Sequence, residues 1–148
     1  MTKSRPSRTE GAFRARITEE CRPWGMFRIY PHHEAGSLKI ITVRPGAALS
    51  LQYHRRRAEF WVALDPGLEI TVGDRVWKLK RGEEVFIPKG APHRLRCVGK
   101  RSGRVMELWI GKSREEDIVR LSDVYGRSGI AQRSLGHQSR RCPPIGSR

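Results

Sequence analysis

The chain has 148 residues, of which 37% are hydrophobic, and a formal charge of +15. That length fits one domain able to bury a core without disulfides, and the modest hydrophobic share leaves part of the chain outside that core. The charge admits nucleic acid, an acidic surface or an anionic small molecule as partner. No recognition helix, zinc finger or aromatic RNA-binding signature accompanies it, which disfavours nucleic acid.

Residues 1–19 are polar, basic and without hydrophobic period, and read as a flexible arm. A succession of short β-prone runs follows, each closed by a turn. Residues 27–30 and 38–43 come first, the latter stopping at Pro45-Gly46. Residues 48–54 alternate, and 59–64 stop at Asp65-Pro66-Gly67. Residues 69–72 and 75–79 flank Gly73-Asp74 and predict a hairpin. Residues 84–87 end at Pro88-Lys89-Gly90, 93–98 at Gly99-Lys100, and 105–110 at Gly111. This spacing predicts an all-β sandwich or barrel. A single short helix is expected over 115–122, with Ser113 as its N-cap. Residues 128–148 carry Gly, Ser, Arg and Pro143-Pro144 and read as a disordered basic tail, so the folded unit is 20–127.

Cys21, Cys97 and Cys142 are odd in number and far apart. That spacing excludes a thiolate zinc site, makes each a spectator thiol and suits a reducing cytoplasm. No apolar run is long enough to span a bilayer, and no apolar stretch follows the basic N-terminus as in a secretory signal. A soluble, cytoplasmic protein is expected.

Period-two alternation through 48–54 puts Ser50, Gln52 and His54 on one face. Glu59 opens the next strand and His93 opens a later one. If these strands adjoin, Gln52, His54, Glu59 and His93 converge inside a barrel. Two imidazoles, a carboxylate and an amide oxygen suit zinc, iron, manganese or nickel, with a coordination position left open. The competing explanation is that each histidine is simply packed or at the surface.

The motifs extend beyond these four residues. Gly46, five residues, Gln52-Tyr53-His54 and then Glu59 resemble the first cupin motif, with Gln52 in place of its first histidine. Gly82, five residues, Pro88-Lys89-Gly90, two residues and His93 resemble the second. Arg22-Pro23-Trp24-Gly25, Arg57-Ala58-Glu59, Trp61, His93-Arg94-Leu95, Glu107, and the ending from Asp117 to Arg127 narrow the match. Over about residues 21–127 the chain resembles the mannose-6-phosphate isomerase domain of type II phosphomannose isomerase/GDP-mannose pyrophosphorylases.

That resemblance implies a cupin barrel (a double-stranded β-helix, or jelly roll). It implies a divalent metal, zinc first, on Gln52, His54, Glu59 and His93, and isomerisation of mannose 6-phosphate to fructose 6-phosphate. The substrate phosphate needs a fixed cation. Lys39, Arg57 and Arg94 rank first, followed by Arg22 and Arg127; each is otherwise a solvated surface charge. Glu107, charged within an apolar strand, is the candidate base or else a buried partner for an arginine. Arg57 is placed with Glu107 as catalytic. Trp24 and Trp61 either wall the sugar site or pack the core. A homodimer is expected, since cupins often pair and exposed strand edges allow it.

Four departures stand out. The family commonly has histidines where this chain has Arg55, Arg56 and Phe60, and Trp109 replaces a residue that is often polar. If a lost imidazole moves protons, catalysis is impaired. The length leaves no room for a nucleotidyltransferase, so this chain is not expected to make GDP-mannose by itself. The rivals are a non-catalytic cupin that binds a sugar phosphate or sugar nucleotide, and another metal enzyme such as an oxygenase, because fold does not fix function.

Overall fold

The computed structural model describes residues 15–30, 37–111 and 114–126. Its strands are β1 (Thr18–Arg22), β2 (Gly25–Tyr30), β3 (Leu38–Val43), β4 (Leu51–Tyr53), β5 (Ala58–Ala63), β6 (Leu68–Val72), β7 (Arg75–Leu79), β8 (Glu84–Ile87), β9 (His93–Cys97), β10 (Gly103–Ile110) and β11 (Val119–Ser122). They form two antiparallel sheets, in the orders β1-β2-β3-β10-β5-β8 and β11-β4-β9-β6-β7. The all-β expectation is met, and the Gly73-Asp74 hairpin forms with Val72 opposite Arg75.

Alternation decides what faces inward. On β10 the buried positions are Gly103, Val105, Glu107 and Trp109. On β3 they are Lys39, Ile41 and Val43, and on β9 His93, Leu95 and Cys97. The barrel interior is therefore polarised. Toward one end Val43, Ala63, Leu68, Cys97 and Val105 close an apolar core. Toward the other, the same strands carry Lys39, Glu59, His93 and Glu107, all buried. Burying charges costs energy unless they are paired, so the polar end needs a reason other than stability.

Gly25 shows how tightly the entry strand is laid on the sheet: a Cβ there would lie 1.9 Å from the Thr42 carbonyl oxygen. Only glycine fits that approach.

The expected helix over 115–122 is not formed. A turn at 115–116 leads into β11, which pairs with β4 through Val119 opposite Tyr53 and Arg120 opposite Gln52. The Asp117 carboxylate accepts the backbone N–H groups of Arg55 and Arg56 at 3.0 and 2.9 Å, which fixes the approach to that pairing. Ladder bonds on β4 supply the backbone partners that a helix would have supplied internally. Ser113, the expected cap, lies outside the described residues. At the other end β1 begins at Thr18, so ordered structure starts within the segment expected to be an arm. Cys97 is a free, buried thiol, whereas Cys21 is disulfide-bonded and so is not the free thiol expected. No helix among the described residues is long and apolar enough to cross a membrane.

Candidate metal centre and adjoining cavity

His54, Glu59 and His93 come together at the polar end, each about 1–2% exposed. His54 lies just past β4, Glu59 on the inward face of β5, and His93 at the start of β9. The turn before His93 is closed by Gly90, at φ +77°, a conformation that favours glycine. The Gly90 N–H donates to the His54 carbonyl at 2.8 Å, which ties the two histidine-bearing segments together.

Each ring presents the same nitrogen inward. His93 Nδ1 donates to the Ala91 carbonyl at 2.9 Å, and His54 Nδ1 donates to the Asp117 carbonyl. A carbonyl only accepts, so each Nδ1 carries a proton and each Nε2 is the ring nitrogen that faces inward. His54 Nε2 is 3.0 Å from Glu59 Oε1, and His93 Nε2 is 3.3 Å from Glu59 Oε2. His93 Nε2 is buried with no hydrogen-bond partner. Two imidazole Nε2 atoms aimed at one carboxylate, with backbone carbonyls orienting the rings from behind, are a donor set suited to a divalent ion. Burial alone would raise the Glu59 carboxyl, but the neighbouring His54 and His93 hold it well below the usual carboxylate range. The Trp61 indole N–H donates to Glu59 at 3.1 Å. Gln52 lies opposite His93 in register, and its Oε1 accepts from the Ser50 hydroxyl at 2.6 Å.

A cavity adjoins this group. Arg22, Trp24, Lys39, Gln52, Arg57 and Glu107 line it together with Arg120. Glu107 is 5% exposed and faces Lys39 across β3 and Trp61 across β5. Burial and the charge of Glu59 push its carboxyl up to about 7, against the pull of Lys39 and Arg57. Trp109, the departure on β10, donates its indole N–H to Glu107 at 2.7 Å. Its ring also lies under both cations, 3.6 Å from Arg57 Cζ and 4.3 Å from Lys39 Nζ. Lys39 pairs with Glu115. Trp24 is buried and stacks on Phe27, so it belongs to the core as well as to the wall.

Arg94 points to the opposite face of β9 from His93 and does not reach the cavity. Arg127 lies outside the described residues. Phe60 is on the outward face of β5, between Phe86 and Leu108. Arg55 and Arg56 are exposed. The three positions that depart from the family's histidines therefore lie away from the cavity. Asp117 and Arg120 were missed as site residues because 115–122 was read as a helix; the β-branched pair Ile118-Val119 was the one signal of a strand.

The family model for "Mannose-6-phosphate isomerase C-terminal" matches residues 11–123. The chain belongs to this family. Among curated relatives of the mannose-6-phosphate isomerase C-terminal domain, it is 42% identical over 108 residues to the xanthan biosynthesis protein XanB of Xanthomonas campestris pv. campestris (strain B100), covering 72% of this chain and 23% of that one. It is 37% identical over 118 residues to the alginate biosynthesis protein AlgA of Pseudomonas fluorescens, covering 79% of this chain and 24% of that one. The chain thus spans about a quarter of the length of these relatives. The fold is that of a cupin. A cupin-2 domain protein from Rhodospirillum rubrum, Rru_A2000, superposes with a TM-score of 0.57 at 16% identity, over 68% of this chain and 78% of that one.

Proposed function

We propose that this domain is a metal-dependent sugar-phosphate isomerase that interconverts mannose 6-phosphate and fructose 6-phosphate. The observation that carries this is Glu107, a buried carboxyl pushed up to about 7, on the cavity wall one inward position along the sheet from Glu59.

Aldose–ketose isomerisation moves a proton between adjacent carbons while charge builds on their oxygens. A base is most effective when its pKa lies near the working pH. Glu107, as carboxylate, takes the proton from one carbon and returns it to the next. Arg57, beside it over Trp109, faces the developing oxygen charge. Lys39, Arg22 and Arg120 line the same cavity and hold the phosphate, Lys39 exchanging Glu115 for it. Trp24 and Phe27 exclude water from one wall. Gln52, His54, Glu59 and His93 would hold the divalent cation, zinc first. Bound there, it supplies Lewis-acid polarisation of the sugar oxygens.

The rival of a non-catalytic binder drew on the missing imidazoles at positions 55, 56 and 60. Those positions lie outside the cavity, which favours the catalytic reading. By analogy with the xanthan and alginate relatives, the activity supplies mannose phosphates for polysaccharide synthesis in the cytoplasm. A homodimer belongs to the same proposal. In a chain of charge +15, two copies meet most cheaply on an uncharged face, and Phe60, Phe86, Leu108 and Leu38 share one outward rung.

The test is a screen of mannose, mannose 6-phosphate and GDP-mannose for binding and turnover, with metal content measured on the same sample. Binding and conversion of mannose 6-phosphate alone support the isomerase. Binding without turnover in metal-loaded protein would replace it with the non-catalytic reading.

A further inference from the structure

Arg57 stands between the candidate metal group and the cavity. It lines the cavity, whereas His54, Glu59 and His93 do not. Its Nε donates to Glu59 Oε1 at 2.8 Å, and its Nη2 lies 3.2 Å from His54 Nε2. In the neutral ring, with the Nδ1 proton donated to the Asp117 carbonyl, Nε2 is the only acceptor, with a single in-plane lone pair. That lone pair now accepts from a guanidinium, and the same electron pair is what a metal ion would take. The two cannot share it.

We infer that Arg57 is a positioning residue that competes with the metal: its guanidinium holds the ligand atoms as an internal cation, and metal binding exchanges it off them toward the cavity. Two other anchors of the side chain among the described residues fit such an exchange. Nη1 donates to the Arg114 carbonyl at 3.0 Å and the guanidinium plane rests on Trp109, neither of which involves a ligand atom. Released from His54, Arg57 stays tethered beside Glu107. Metal occupancy would thereby set whether the cation faces the ligands or the substrate. This inference rests on the metal reading of the preceding subsection.

Zinc affinity measured by competition with a fluorescent chelator tests it, on the wild-type chain, Arg57→Gln and Arg57→Lys. Arg57→Gln should bind zinc about ten- to a hundredfold more tightly, because the ion no longer breaks charge-assisted bonds to enter. Arg57→Lys, a single-headed cation, should fall between. A merely structural role predicts the opposite sign, so equal or weaker zinc binding by Arg57→Gln overturns the inference. If no form binds zinc, the metal reading fails and this inference with it. Should Arg57→Gln not fold, the wild-type chain serves: on zinc saturation, side-chain NMR should show His54 Nε2 coordinated and its contact with Arg57 lost. Persistence of that contact in the zinc-loaded protein overturns the proposal equally.

Discussion

Glu107 and Lys39 are direct partners across the β10–β3 pair, so a buried carboxyl and a buried ammonium share one rung of the inner face. The lysine does not suffice to keep the carboxyl ionised at low pH. Burial and the nearby Glu59 dominate, and the carboxyl rises from an ordinary 4.5 to about 7. The folded state therefore holds this proton more tightly than the unfolded state does. The associated stability is fully present below about pH 4.5 and is lost as pH rises through about 7. The full difference is about 3 kcal/mol. Denaturant unfolding in chelator at pH 5 and pH 8 should show that loss in the wild type and less of it in Glu107→Gln, which keeps an acceptor for Trp109. Equal losses in both would place the titration elsewhere.

Metal binding is the second expectation. Protein purified without chelator should carry about one divalent ion per chain, and replacing His54 and His93 together by Ala should remove it. Free metal at a hundred times its dissociation constant should add about 2.7 kcal/mol to wild-type stability. Full occupancy in the double variant, by elemental analysis, would move the site away from these residues.

Asp117 orients the loop that carries His54, through its carbonyl to the ring and its carboxylate to Arg55 and Arg56. Asp117→Ala leaves every ligand in place but unties the loop. Metal affinity should fall about tenfold or more, as for other residues that orient ligands. Unchanged affinity would show that the loop holds its shape without this carboxylate.

Phe60 stands where relatives commonly have a histidine, yet it occupies an outward position of β5, opposite Phe86 and Leu108 in register. Phe60→His should therefore give no rate gain approaching the roughly 10²–10⁴-fold that a positioned proton donor supplies. A gain of that size would mean that the position reaches the substrate. On the same face, Leu108→Asp with Phe86→Asp should convert a dimer to a monomer on light scattering. A wild-type monomer would remove the dimer proposal.

The barrel was legible because each strand is short, alternating and punctuated by Gly or Pro, and the two motifs fix the order of ligands around it. The helix expected over 115–122 failed because four residues of strand are too few to outweigh the surrounding charges in a local pattern. Only pairing with β4 settles it. The same nonlocality hid Asp117 and Arg120, and let Arg94 rank as a phosphate cation merely for adjoining His93. On a strand, the neighbour of a ligand points the other way. Glu107 was legible for the converse reason: an acid at an inward position of an apolar strand has nowhere else to go.

Incubation of the zinc-reconstituted chain with mannose 6-phosphate in deuterium oxide tests the central claim most directly. Metal-assisted isomerisation with Glu107 as the base predicts formation of fructose 6-phosphate. It also predicts solvent deuterium at the carbon that receives the proton, and a loss of both signals in Glu107→Gln of about 10²-fold or more. Zinc-loaded, folded protein that yields neither fructose 6-phosphate nor deuterium exchange would contradict it.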